Sequence, residues 1–222
     1  MVRVQNKQTS GGTLITLGMV ICASVAGCTR SSADYFSRGT VCAKKGQYDR
    51  AISNYDKAVV RDSGNADIYA NRGYVYFIKG EYGRAISNYN RAIEIKPNYA
   101  EVHINRGNAY SIMEEYDWAI ADYTRAIEIS PRYAGTYSTR GCMHFVKGEY
   151  GMAISDQTAA IEMNPKYAKA YRHRAAAYSM TGEYEKAWRD VHKAHNLGYQ
   201  IQPKFLSALR TLRETSSREK VN

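Results

Sequence analysis

The side chains able to do chemistry are few in this 222-residue chain, and their placement argues against catalysis. His192 and His195 stand three residues apart, which puts two imidazoles on one helical face, as a metal pair would need. Yet His195 falls where Ile93, Ile127 and Ile161 stand at 34-residue steps before it, so packing against whatever follows is its expected role. His103 and His144 likewise take places that hold tyrosine at the neighbouring steps. Arg38, Arg72, Arg106, Arg140 and Arg174 recur at the same period, each facing Asn54, Asn88, Asp122, Asp156 or Asp190 on a partner helix. One such pair per step reads as polar bonding between helices rather than ligand binding. The remaining acids and bases sit singly along exposed faces. No catalytic residue, metal or cofactor is expected.

What positions these residues is the period itself. From Ala66 to Tyr99 the chain carries Tyr69, Arg72-Gly73, Tyr76, Gly80, Tyr82, Ala85, Tyr89, Ala92 and Pro97. Thirty-four residues on come His103, Arg106-Gly107, Tyr110, Glu114, Tyr116, Ala119, Tyr123, Ala126 and Pro131. This resembles the tetratricopeptide repeat (TPR), a helix-turn-helix unit of that period, with Arg in place of its Leu and Tyr in place of its Phe. The resemblance implies an all-α solenoid of five copies at 32–65, 66–99, 100–133, 134–167 and 168–201. Such an array is one elongated, quasi-one-dimensional body.

The copies explain their own spacing. Gly39, Gly73, Gly107, Gly141 and Ala175 mark a close approach, expected to be against Ala51, Ala85, Ala119, Ala153 and Ala187. Gly46, Gly80, Gly148 and Gly182 suit the left-handed residue that ends a helix, and Glu114 in their place predicts a strained or differently shaped third turn. Pro97, Pro131 and Pro165 stop the second helices. Of 20 tyrosines, 18 fall on five repeated positions; recurrence at buried helical spacing reads as core rather than as a stacking surface.

Residues 1–27 lie outside the repeats. Arg3 and Lys7 precede an apolar stretch from Thr13 to Gly27, short of the ~20 residues a spanning helix needs, so it reads as an export signal. Its end, Val25-Ala26-Gly27-Cys28, resembles a bacterial lipobox, which implies cleavage before Cys28 and acylation of its thiol. An uncleaved anchor, or an ordinary signal with an incidental cysteine, is the alternative. Several acyl chains at ~0.8 kcal/mol per buried methylene make a durable anchor. Residues 28–31 would be the tether, and Thr29 after the cysteine points by resemblance to the outer membrane, facing the periplasm; in a monoderm it would be the outer leaflet of the plasma membrane. Cys42 and Cys142 lie three repeats apart and cannot pair, and Cys42, replacing a core tyrosine, is expected to be buried. At the other end Pro203, Phe205, Leu206, Leu209 and Leu212 predict a capping helix over 202–214, with a polar, disordered tail at 215–222.

The charge is +10, unevenly spread: the third repeat carries −3, the fifth repeat and the tail +3 each. Export and the lack of any nucleic-acid motif argue against a nucleic-acid partner. A protein partner is expected instead, bound by a monomer or weak homo-oligomer. In TPR proteins one stripe of each first helix lines a concave groove. Here the stripe maps to Asn71, Tyr74, Phe77 and Ile78, then Ile104, Asn105, Asn108, Ser111 and Ile112, then Cys142, Phe145 and Val146, then Lys169, Arg172, His173 and Met180. Its apolar members suggest a partner's apolar segment, with Phe77 and Phe145 as anchors, unless the chain's own tail fills part of it. Asn71 and Asn105 match the position from which some TPR proteins bond an extended peptide's backbone. The carboxylate clamp of chaperone-binding TPRs is missing, since Glu101 and Asn105 stand where it needs Lys and Arg. Together the two resemblances imply an envelope TPR lipoprotein, a scaffold for pilus-secretin assembly or for docking peptidoglycan hydrolases. The alternative is a surface lipoprotein engaging host proteins.

Overall fold

The computed structural model describes residues 30–219, and among them every regular element is a helix. In chain order these are α1 Ser32–Lys44, α2 Tyr48–Arg61, α3 Ala66–Ile78, α4 Tyr82–Ile95, α5 Ala100–Ile112, α6 Tyr116–Ile129, α7 Ala134–Val146, α8 Tyr150–Met163, α9 Ala168–Met180, α10 Tyr184–Asn196 and α11 Pro203–Glu219. The export signal and Cys28 lie outside the described residues. Odd-numbered helices up to α9 open a repeat and even-numbered ones close it. Each second helix packs on the next first helix, so the pairs stack in file. Neighbouring first helices also touch (α1 with α3, α3 with α5, α7 with α9), whereas no two second helices pack comparably. In a curved stack the more closely spaced row is the inner one, so the first helices line the concave side.

Each first helix stops in the same way. Gly46 has φ 73°, its N–H donating to Ala43 O, while Gln47 N–H donates to Cys42 O at 2.9 Å. This double closure satisfies two orphan carbonyls and requires a left-handed residue. Gly80 and Gly148 repeat it at φ 78° and 79°, and at Gly182, φ 77°, Glu183 N–H donates to Tyr178 O at 2.9 Å. Glu114 makes the same turn at φ 62°, with Glu115 N–H to Tyr110 O at 2.9 Å. The third turn therefore keeps its shape, and the cost falls on a side chain held in left-handed backbone.

The close approach inside each pair is to a ring, not to the alanines the spacing suggested. A methyl on Gly39, Gly73 or Gly107 would come within 2.6, 2.8 or 2.9 Å of Cε1 of Tyr55, Tyr89 or Tyr123. Those three rings are fully buried, as are Ala51, Ala85 and Ala119 beside them. Glycine on one helix makes room for tyrosine on the other, and the alanines fill in behind. In the fourth repeat Gln157 replaces the ring and meets Gly141 instead; in the fifth Val191 is smaller still and the glycine becomes Ala175. Not every repeated tyrosine is core: Tyr133 is 62% exposed, its ring lying over Gly135. Cys42 is half-buried.

The repeated arginines do more than join two helices. Arg106 Nε and Nη2 donate to Asp122 at 2.8 and 2.7 Å, and Nη1 donates back to Asn90 of the preceding repeat at 2.6 Å. Arg140 and Arg174 hold Asp156 and Asp190 the same way and reach back to Thr124 and Thr158; Arg72 joins Asn88 to Asp56. In the first repeat Arg38 is exposed and Asn54 donates to Arg50 O. The ladder thus stitches repeat to repeat. Burial would raise the pKa of Asp122, but bonds from Arg106 and from His103, whose Nδ1 lies 3.0 Å away, hold it below the usual carboxylate range.

The stack ends on α11, where Leu209 is buried in a cluster with Ala175, Ala187 and Val191 against which Phe205 and Leu206 pack. The helix runs on to Glu219, through residues whose polarity suggested a disordered tail from Thr215. Leu212 is exposed; His195 is exposed too, yet it lines a hollow with Leu206 and Arg210 of α11.

Candidate groove on the first helices

The last residue of each first helix forms a row at 34-residue intervals: Lys44, Ile78, Ile112, Val146 and Met180. The four apolar members are 43, 50, 55 and 55% exposed. A helix needs only one face against its neighbours, and the row lies off that face, on the side the repeats do not cover. Four exposed aliphatic side chains in register are the main apolar feature of the concave side.

Around this row the expected groove residues divide into two sets. Tyr74 is 49% exposed and free to offer its ring. Phe77 and Phe145 are half-buried instead, with rings 5.6 and 5.4 Å from Tyr82 and Tyr150, so they serve the helix pair and offer a partner only an edge. Ile104 is half-buried in the cluster around Tyr123. Asn71 donates to Asp67 O within its own helix. Asn108 accepts the Tyr123 hydroxyl at 2.8 Å and is occupied. Asn105 alone of the three has no hydrogen-bond partner among the described residues and is half-buried, with its amide available.

Three hollows punctuate the groove. One of about 320 Å³ lies between the first two repeats, beside Lys44, Asn71, Tyr74 and Ile78. Another of about 320 Å³ is lined by Glu101, Ile104, Asn105, Ser130 and Tyr133. The third, about 190 Å³, sits between the fourth and fifth repeats among Cys142, Phe145, Val146, Arg172, His173 and Ala176. There His173 Nδ1 is 3.3 Å from Cys142 Sγ. Burial, with Arg172 and Lys169 nearby, pushes the His173 pKa down to about 4, and burial pushes the Cys142 thiol up to about 11. Both are neutral near pH 7, so this is not a thiolate–imidazolium pair and has no nucleophile to offer. Among the described residues no cluster of three or more potential ligands could hold a metal ion.

One orphan polar group went unseen in the sequence. The Tyr89 hydroxyl is buried without a partner. At the matching place Tyr55 meets Thr40 at 3.3 Å and Tyr123 meets Asn108, but the second repeat has Tyr74 there, turned outward. The signal was present in the register: an aromatic stands where the first and third copies, the other two with a fully buried tyrosine opposite, carry a small polar partner in Thr40 and Asn108.

Stacked helix pairs with a bare, register-matched inner row define a solenoid that presents an extended concave binding surface. Comparison with known families matches a TPR repeat at residues 39–77 and 73–113 and a tetratricopeptide repeat at 100–133 and 158–189, and the chain belongs to the TPR family. No curated protein matches the sequence. Among solved structures it is similar to MamA at 26% identity and TM-score 0.71, over 77% of this chain and 96% of that one. It also resembles MamA from Desulfovibrio magneticus RS-1 at 16% identity and TM-score 0.71, over 75% and 94%. A third similar structure is YrrB, described as a TPR protein with an unusual peptide-binding site, at 22% identity and TM-score 0.71, over 86% and 97%. The last two likenesses speak for the fold.

Proposed function

We propose that this chain is a membrane-anchored interaction scaffold of the bacterial envelope, holding a segment of a protein partner in the groove of its first helices. The observation that carries the reading is the exposed row Ile78, Ile112, Val146 and Met180, which the array's own packing does not use. Asn105, unpaired beside it, can bond a partner's backbone. The anchor is the acylated thiol of Cys28, and the short tether keeps the array close to the outer membrane, in the setting of pilus-secretin assembly or peptidoglycan-hydrolase docking. The test has two arms. A photo-crosslinking residue at Ile112 captures an envelope protein in cells, and the same residue at Ser87, exposed on α4, does not; equal capture at both sites refutes the groove. Labelled palmitate enters the wild type and not Cys28→Ser; no label in the wild type refutes the anchor.

A further inference from the structure

We propose that the groove is polarised, and that its occupant is an apolar peptide segment with a carboxylate at the fifth-repeat end and a basic residue at the second and third repeats. This rests on the groove reading above and adds the partner's chemistry and direction.

The sign of the groove reverses along one register. The second residue of successive first helices reads Asp67, Glu101, Gly135 and Lys169. Arg172 stands one turn after Lys169 on α9 and faces the same way. Arg172 is half-buried and lines the hollow of about 190 Å³, with Phe145, Val146 and Ala176 as an apolar wall. Neither cation has a hydrogen-bond or ion-pair partner among the described residues. That sets Arg172 apart from the half-buried ladder arginines: Arg72, Arg106, Arg140 and Arg174 are all held by acceptors on both sides. No carboxylate lines this hollow. A guanidinium partly withdrawn from water beside aliphatic and aromatic carbon suits a carboxylate carried on an apolar residue, because a bidentate bond there replaces lost hydration. At the other end Glu101 lines the hollow of the third repeat and is exposed, without a partner among the described residues. The aliphatic row of Ile112 and Val146 runs alongside, at the C-terminal ends of the first helices and about 16 Å along α5 from Glu101, and Val146 shares the hollow of Arg172. A segment laid in either direction fills the apolar row equally well; the charges select one of them, as complementary potentials select register elsewhere.

The test is selection of random dodecamers displayed on phage against the full chain in detergent, with the double variant Lys169→Glu/Arg172→Glu and the single variant Glu101→Lys selected in parallel. The expected peptides carry an acid at one end and a base at the other, around apolar residues. A synthetic copy is expected to bind the double variant about tenfold more weakly at low salt, and that variant to enrich peptides basic at both ends. Enrichment of apolar peptides with no charge bias, lost on Ile112→Asp/Val146→Asp, overturns the polarity and leaves the groove standing. Enrichment that survives Ile112→Asp/Val146→Asp overturns the groove reading as well. So does a helical, folded chain that enriches nothing.

Discussion

Acidifying this protein from pH 7 to pH 5 is expected to weaken it through His173, and the amount can be worked out. In the folded chain burial disfavours the imidazolium and the neighbouring Arg172 and Lys169 repel it, so the pKa falls from the ordinary 6.5 to about 4. The unfolded chain therefore takes up this proton first. Stability from keeping His173 neutral is complete above pH 6.5, drains as the pH falls, and is spent once it passes about 4. At pH 5 about one and a half of the two and a half units have been traversed, which at ~1.4 kcal/mol per unit is a loss of about 2 kcal/mol. Other groups titrate too, so the assay compares the wild type with His173→Asn, the residue found in this register at Asn71 and Asn105. Urea unfolding followed by helical circular dichroism at each pH gives the gap between the two. The gap is expected to move by about 2 kcal/mol in favour of the variant between pH 7 and 5, or roughly 4–8 °C in melting temperature for a domain of this size. Parallel curves would show that the imidazole is as well solvated folded as unfolded, and the argument would fail.

Three further expectations follow from single contacts. Tyr89→Phe removes an unpaired buried hydroxyl and is expected to be neutral or to stabilise by up to about 1 kcal/mol, whereas Tyr123→Phe gives up its bond to Asn108 and costs about 1 kcal/mol; chemical denaturation of the two distinguishes them. Glu114→Gly relieves left-handed strain at an exposed turn and is expected to raise stability by about 0.5–1 kcal/mol in thermal melts, where a loss would mean that the turn is held by the side chain. Arg106→Ala leaves the buried Asp122 with His103 alone and is expected to cost about 3 kcal/mol, against about 1 kcal/mol for Arg72→Ala, whose partners are a neutral Asn88 and a half-exposed Asp56; equal losses in urea unfolding would deny the buried charge its part.

The repeat made most of the fold legible. Period, turn glycines and stop prolines give helix ends because each acts within one turn of the backbone, and the sequence shows them directly. The sequence was less informative wherever the cause lies in a neighbouring repeat. The second donor of each arginine reaches 16 residues back to Asp56, Asn90, Thr124 or Thr158, residues too unlike one another to look like a motif. The glycine's partner was misassigned to alanine because small-against-small is the simpler packing, while the ring that needs the room lies four residues further along the same helix. Phe77 and Phe145 looked like anchors by size and stripe, but the first residue of the next helix, Tyr82 or Tyr150, folds back to cover them. Leu212 had the right spacing for a cap contact, yet α11 touches the last repeat mainly through Phe205, Leu206 and Leu209.

A comparison of copies within the chain then separates scaffold from site. Positions buried between the helices scarcely vary: arginine stands at one register in all five copies and bonds in the ladder from Arg72 on, and Ala51, Ala85, Ala119, Ala153 and Ala187 are all fully buried. A change in any one of them would have to be matched in the copy beside it. The register of Asn71, Asn105, Thr139 and His173, and that of Asp67, Glu101, Gly135 and Lys169, change type or sign from copy to copy. Of these side chains only that of His173 meets the repeat before it, at Cys142, so most of their differences are available to whatever lies in the groove. The aliphatic row falls between the two kinds, uniform in character from Ile78 to Met180 yet exposed throughout. Uniform apolarity gives a general grip, and the varying registers beside it can then decide which segment is held and in which direction.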